Sequence, residues 1–485
     1  MHRGVLGLIA LTLVTTSGCL PLPDVRPPTA PLAASYRVDP AEVSFSWHWV
    51  DGFDEPATPD RYDRQGTLRW ALDEPAETIV VALPGLFGGA AQFGPLARRL
   101  VASTPGLQLW AVDRRANQLE DRGAAVAALG DGGVDRLIDR YLGRDGQPPD
   151  YRVPDPAEHA YVRHWDLEVH LRDLDAVVRA AVATAPRVVL LGHSLGASQA
   201  ALYAAWQGGS GPRALDGLVL IDGAPGRTGA LGFERGLRVL GLPVVLPTRS
   251  ALASGRATPW FSAGDGGAVH ARRLGTALLA HLEPDATVDP GLSELPMSHL
   301  AFAGVEHDDQ YGALQPFYAS IGEAVDAELD GNLGAVFVGG GWALRAASVV
   351  GVAEGADRIE WGPGDPRYER SGAGEYFANW AIPESDPSEW YMPTALLLDL
   401  AAASPDLIDE PGFAPTRTVT VPTLLIGSDR GLLRSADAFG GYVEQRLGSQ
   451  VSVAIVEGLT HLDLITADRN PVVPLLARWT TLLPR

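Results

Sequence analysis

The sequence predicts an α/β fold: a mostly parallel sheet with helices on both faces, interrupted by one large insertion. Three observations carry this. Short, fully apolar runs (TIVVAL, LQLWAV, VVLLG, LVLI) alternate with helical stretches through the first half of the chain. That is the pattern of strands buried on both faces and joined by crossover helices. The rhythm stops after Gly223 and returns near Thr418 with VTVPTLLIG and VSVAIV. Finally, 485 residues at 46% hydrophobic content suffice for a sizeable core.

The elements follow in order. The chain begins MHRGVLGLIALTLVTTSGCLPLP, with one basic residue at Arg3, an apolar stretch from Val5 to Val14, and small residues before Cys19, the single cysteine. This is the pattern of a signal peptide over residues 1–18, too short to span a bilayer as a lasting anchor. It resembles a bacterial lipoprotein signal with TSGC as its lipobox, although Thr16 stands where such boxes prefer Leu. The resemblance implies cleavage before Cys19, lipid on that cysteine, and a chain held outside the cytoplasm on a bacterial membrane. Leu20 stands where an Asp would signal retention at the inner membrane, so the outer membrane or cell surface is the expected place. Residues 19–35 read as a Pro-rich tether.

Residues 36–223 form the first part of the predicted core. SFSWHWV and GTLRWAL, separated by a Pro/Asp-rich turn, read as a β-hairpin. TIVVALPG is a strand, FGPLARRLVAS a helix, LQLWAVD a strand, and WDLEVHLRDLDAVVRAAVATA a long helix leading to VVLLG. ALYAAW continues as helix and LDGLVLIDG as strand. Residues 224–417 lose the alternation and read as an inserted cap with helical pieces such as HARRLGTALLAHL and PTALLLDLAAA. Residues 418–485 restore the strand–helix pattern and complete the core.

The net charge of −21 argues against nucleic acid as a partner. Every basic residue other than histidine is arginine. A lysine Schiff base, a Ser–Lys dyad and a P-loop are therefore excluded.

GHSLG, Gly192 to Gly196, sits where an apolar strand meets an Ala-rich helix. A serine between glycines at that junction fits a nucleophile elbow. The turn is tight, the hydroxyl stands clear of the sheet, and the N–H of Leu195 points toward developing negative charge. Serine needs a base. His461 follows the last predicted strand in the loop EGLTHLDL. The imidazole needs a carboxylate. Asp429, ending LLIGSD, is favoured because it occupies the usual position of the acid, in the chain order Ser194, Asp429, His461. Asp222, one strand earlier after LVLI, is the competing acid, otherwise a loop or capping residue. The loop LPGLFGG offers the N–H of Leu86 as second oxyanion donor. Asp463, two residues after the histidine, is either an accessory polar group or exposed.

With these residues in place, the chain resembles the α/β-hydrolase superfamily over roughly residues 78–223 and 418–483. PGLFGG is similar to the family's oxyanion loop, with Pro84 where His is common. Asp113 and Arg115 match a D-x-R-G-x-G stretch from which Ala116 departs, and that resemblance implies loop-tying residues. The insertion stands where family members carry a lid. Its wall candidates are Trp260, Phe261, Phe317, Tyr318, Trp342, Trp380, Trp390 and Tyr391, any of which could instead serve the cap's own core. VEHDDQY, Val305 to Tyr311, is expected to be solvated rather than a metal site, and the chemistry calls for no metal or other cofactor.

The expected function is hydrolysis of carboxylic esters by a serine triad acting on a small ester or acyl substrate. A peptidase or acyltransferase would use the same residues. A non-catalytic lipoprotein that keeps the fold for binding is the alternative of another class. Dehalogenase or epoxide hydrolase chemistry is disfavoured because those relatives carry Asp at the elbow.

Overall fold

A computed structural model of the chain describes residues 36–209, 214–225, 246–288, 295–311, 318–325, 355–402, 419–445 and 451–483, with short strand segments between 231 and 243 and between 327 and 352. Cys19, the leader and the tether lie outside the described residues, as does Phe317.

Eight strands form one sheet: β1 (Ser44–Asp51), β2 (Arg64–Ala71), β3 (Thr78–Leu83), β4 (Leu107–Asp113), β5 (Val188–His193), β6 (Gly217–Ile221), β7 (Thr423–Ser428) and β8 (Val451–Val456). Their order is β1-β2-β4-β3-β5-β6-β7-β8. β1 and β2 form the antiparallel hairpin, β2 pairs antiparallel with β4, and every later pairing is parallel. This is the α/β-hydrolase fold. β6 and β7 pair in register, Ile221 against Ile426, although some two hundred positions of sequence separate them.

The apolar runs make strands because both sides of each strand are covered. In β5, Val188 and Leu190 pack into one buried cluster, and Val189 and Leu191 into another. The first cluster lies under α2 (Leu167–Val182) and α3 (Leu195–Ala205), where Leu171, Leu174, Val178 and Leu202 meet the sheet. The second lies under α1 (Gly94–Ser103) and the C-terminal helix Val472–Leu482, which contribute Leu96, Leu100, Leu476 and Trp479. Asp166 caps α2 by accepting from the Val169 N–H at 3.1 Å.

A third apolar cluster belongs to the cap. It contains Leu274 and Leu278 of α4 (Ala268–Leu282) and Phe302 of α5 (His299–His307), together with Trp260, Trp380, Trp390 and Tyr391. It also contains Leu119, Leu137, Tyr141 and Trp165, which lie between β4 and α2. This cluster is therefore built from two stretches of chain, of which the sequence marks only the one after Gly223.

Candidate active site

Ser194 sits between β5 and α3 with φ 58° and ψ −122°. Left-handed backbone at a non-glycine residue costs on the order of 1–3 kcal/mol and survives only where the surroundings impose it. They do. The Ser194 N–H donates to the Ile221 carbonyl at 2.8 Å, and its own carbonyl accepts from Ala197 at 3.0 Å. Gly192 and Gly196 allow the turn. A Cβ at Gly192 would collide with the Gly196 carbonyl, and one at Gly196 would come within 2.6 Å of the Pro84 oxygen. Among the described residues, four non-glycine residues have positive φ, and three surround one point: Phe87, Ser194 and Asp222.

His461 is 3% exposed and places Nδ1 2.7 Å from Asp222 Oδ2. A carboxylate accepts, so Nδ1 carries the proton and the lone pair stands on Nε2. Asp222 is fully buried, with φ 47°. Its Oδ2 and Oδ1 also accept from the N–H groups of Leu432 and Leu433, each at 2.7 Å. Its own N–H donates to Ile426 on β7 at 2.7 Å. The loop after β7 thus supplies the amides that aim the aspartate ending β6.

Asp429, the acid favoured by the sequence, does not reach His461. It is exposed, and its Oδ1 accepts from the Gly458 N–H at 2.7 Å, closing the turn after β8. The physical reason is side-chain direction. Asp429 turns to the neighbouring β8 turn, whereas the twisted backbone at Asp222 throws its carboxylate under the histidine. Asp222 was legible as the alternative but not as the partner.

The His461 loop is held from below. Asp463, fully buried, accepts from the N–H and hydroxyl of Ser320 at 2.9 and 2.7 Å, from the Ser371 hydroxyl at 2.9 Å and from the Thr460 N–H at 2.9 Å. His193, the variable residue of the elbow motif, lies beside His461 with ring centroids 4.3 Å apart. Its Nε2 donates to the His461 carbonyl at 3.0 Å. Burial, with His461 adding to it, holds His193 well below the ordinary histidine range, so it is a neutral prop.

Leu86 lines the cavity with Ser194, Leu195 follows Ser194 in the chain, and the N–H of neither has an acceptor among the described residues. Arg114 fixes the first of these loops: Nη2 donates to the Pro84 carbonyl at 2.6 Å and Nη1 to that of Gly85 at 3.3 Å. The same guanidinium forms a buried ion pair with Glu389 of the cap at 2.8 Å. Asp113 accepts from the Ala90 N–H, and Arg115 joins Asp173 to Asp63. Arg114 had no sequence signal beyond its place between these two.

A cavity of about 160 Å³ opens on Ser194 and His461. Leu86, Phe87, Phe261, Tyr318 and Trp380 line it, so three of the eight aromatic wall candidates face it. Trp260, Trp390 and Tyr391 belong to the cap's own core. Of Trp342 only its place in the strand Gly341–Ala343 is described. Two further side chains in the lining, His270 and Arg273 of α4, carry no signal in the sequence that places them there.

VEHDDQY differs from expectation. Asp308 is fully buried and Asp309 nearly so, and carboxylate oxygens of Asp308, Asp309 and Glu369 lie within 4.8 Å of one another. Arg430 pairs with Asp309 at 2.7 Å, and the N–H groups of Ile321 and Gly322 donate to Asp308 and Glu369 at 2.8 and 2.9 Å. Burial pushes Asp309 and Glu369 up to about 7.

No family model matches the chain, and no curated protein matches it. Solved structures do resemble it. A structure from Sulfolobus solfataricus described as a candidate lipase has 15% identity and a TM-score of 0.49, covering 93% of this chain and 97% of that one. A monoglyceride lipase from Saccharomyces cerevisiae has 11% identity and a TM-score of 0.38, covering 87% of this chain and 93% of that one. An esterase from Thermogutta terrifontis has 12% identity and a TM-score of 0.37, covering 90% of this chain and all of that one (100%). At these identities and scores the likenesses carry no argument about chemistry, which rests on the site's own geometry.

Proposed function

We propose that the chain is a serine hydrolase that cleaves carboxylic esters through Ser194, His461 and Asp222. The observation that carries this reading is the 2.7 Å contact of His461 Nδ1 with the buried Asp222 carboxylate. It stands beside a serine held in a strained turn at the mouth of the same cavity.

The steps follow. Ser194 Oγ attacks the ester carbonyl while His461 Nε2 takes its proton. The Asp222 carboxylate stabilises the imidazolium and fixes its tautomer. The N–H groups of Leu86 and Leu195 receive the oxyanion, preorganised because both lack other acceptors. Collapse breaks the carbon–oxygen bond, and Nε2–H protonates the departing alcohol. Water, deprotonated by the same Nε2, attacks the acyl-enzyme and frees the acid and Ser194.

The test is hydrolysis of nitrophenyl esters of graded acyl length by the chain starting after Cys19, beside Ser194→Ala. Turnover by the parent and loss in the variant is the expected result. No turnover, together with no labelling of Ser194 by a fluorophosphonate, would overturn the reading and favour a binding protein. Labelling without turnover would redirect the search to peptides or acyl transfer.

A further inference from the structure

A serine triad selects an ester bond but not the substrate that carries it. Arg273 bears on that. It projects from α4 into the lining of the cavity that holds Ser194 and His461. Its surroundings are neutral. Nη2 lies 3.2 Å from His307 Nδ1 and 3.4 Å from the Tyr376 hydroxyl. The guanidinium carbon lies 4.6 Å from the Tyr318 ring centre and 5.6 Å from that of Trp380. Its Nε is buried without an acceptor. Among the described residues no carboxylate pairs with it; the nearby Glu306 is taken by Arg272 at 3.0 Å.

Toward the guanidinium, His307 acts as an acceptor. Its Nε2 faces the Arg273 carbonyl at 3.1 Å, and a carbonyl only accepts, so Nε2 carries the proton and Nδ1 receives the guanidinium. Burial, with the guanidinium adding to it, holds His307 well below its ordinary range. The cation is therefore positioned by neutral partners and aromatic faces, which leave its charge uncompensated.

That arrangement differs from that of the fully buried arginines. Among the described residues the three most buried, Arg99, Arg114 and Arg115, each hold a carboxylate of this chain at 2.5–2.8 Å. Enclosing a guanidinium without an anion is unfavourable, because lost hydration is not replaced. The chain avoids that at its three most buried described arginines; Arg273 is half-buried and, like Arg69 and Arg98, holds no carboxylate, and of these three only Arg273 lines the cavity with Ser194.

We infer that Arg273 is a specificity residue, and that the cavity takes an ester whose enclosed part carries an anionic group, a carboxylate or a phosphate, paired with this guanidinium. The inference rests on the ester-hydrolase reading. The volume limits the group further. About 160 Å³ is close to the roughly 150 Å³ that holds a benzene-sized guest, so the enclosed part is short. A half-ester of a short dicarboxylic acid fits that description.

The experiment compares monoethyl succinate with ethyl butyrate, followed by acid release, for the parent, Arg273→Gln and Arg273→Lys, with thermal melting to confirm that each variant folds. The parent should favour the succinate ester in kcat/KM by tenfold or more. Arg273→Gln should erase that preference, chiefly through KM, and Arg273→Lys should restore part of it. Equal losses on both esters in Arg273→Gln, or a parent preference for the neutral ester, would overturn the inference. Binding is measured separately by calorimetry with succinate and with inorganic phosphate on Ser194→Ala, with and without Arg273→Gln. Arg273-dependent binding of succinate alone identifies a carboxylate, and of phosphate alone a phosphate. Binding of neither overturns the inference. Arg273-dependent binding with no ester turnover by the parent supports the anion site and defeats the ester reading alone.

Discussion

Two aspartates end two neighbouring parallel strands, and only one serves the histidine. Asp222 follows β6, is fully buried, and receives two backbone N–H groups and the imidazole. Asp429 follows β7, is exposed, and receives the N–H of Gly458. Both stand at the C-terminal edge of the sheet, where ligand sites of open α/β sheets gather. What separates them is the backbone. Asp222 has φ 47°, and the adjoining Gly223 packs against Ser194 so closely that a Cβ there would overlap the Ser194 carbonyl. Strain at Ser194 and strain at Asp222 are two sides of one junction. The lesson is that position at a strand end selects candidates, and the neighbouring loop selects among them.

The sharpest way to break the comparison is to neutralise each acid in turn. Asp222→Asn should lower kcat by about 10⁴, as expected when a triad histidine loses its tautomer-fixing acid. That corresponds to roughly 5 kcal/mol of transition-state stabilisation. Asp429→Asn should change kcat by less than about threefold, since only the acceptor of a surface turn is altered. The check is kcat on the best ester for both variants. A larger loss at Asp429 would restore the sequence expectation and make the Asp222 contact structural.

The next effect concerns stability. Glu389 is a cap carboxylate that, like Asp222, is buried with a named partner. Arg114→Met leaves Glu389 without its cation and frees the Pro84 and Gly85 carbonyls. Breaking one side of a buried pair typically costs about 3–5 kcal/mol. Urea unfolding should show that loss, and ester hydrolysis should fall with it because the oxyanion loop loses its tie. A smaller step is His193→Phe, which keeps a ring against His461 but removes the donor to its carbonyl. The loss is on the order of 1 kcal/mol for one hydrogen bond. It should appear as a several-fold drop in kcat with little change in melting temperature.

Much of this was legible beforehand, for stated reasons. The six parallel strands could be found because burial on both faces forces continuous apolar runs such as VVLLGH and LVLI. The elbow was visible because Gly192 and Gly196 are required by backbone contact. His461 was visible because it follows the last strand. The acid was not, because LIDG and IGSD read alike until the side chains are turned. The first half of the cap was not, because Leu137, Tyr141 and Trp165 meet α4 only in three dimensions. Arg273 was not, because its meaning lies in the carboxylate it lacks. VEHDDQY misled because adjacent acids are usually solvated, whereas here backbone N–H groups and Arg430 draw them inward.

That acidic group gives the smallest prediction. Burial raises Asp309 and Glu369 from 3.8 and 4.5 to about 7. A raised carboxylate favours the folded state while both states are protonated. The advantage is complete below about pH 4 and lost as pH rises through 7. Buried histidines act oppositely: His170 and His270, held near 3 by burial, oppose folding as pH falls below their unfolded value. The parent's own pH curve therefore mixes the two, and a difference between variants isolates the acids. Glu369→Gln keeps an acceptor for the Gly322 N–H and an amide toward Gln310 while removing the titration. Its melting temperature should exceed the parent's by a few degrees at pH 8 and match it at pH 4. A gap that is the same at both pH values would mean that Glu369 is already ionised in the folded chain, with Arg430 and the backbone N–H groups offsetting its burial.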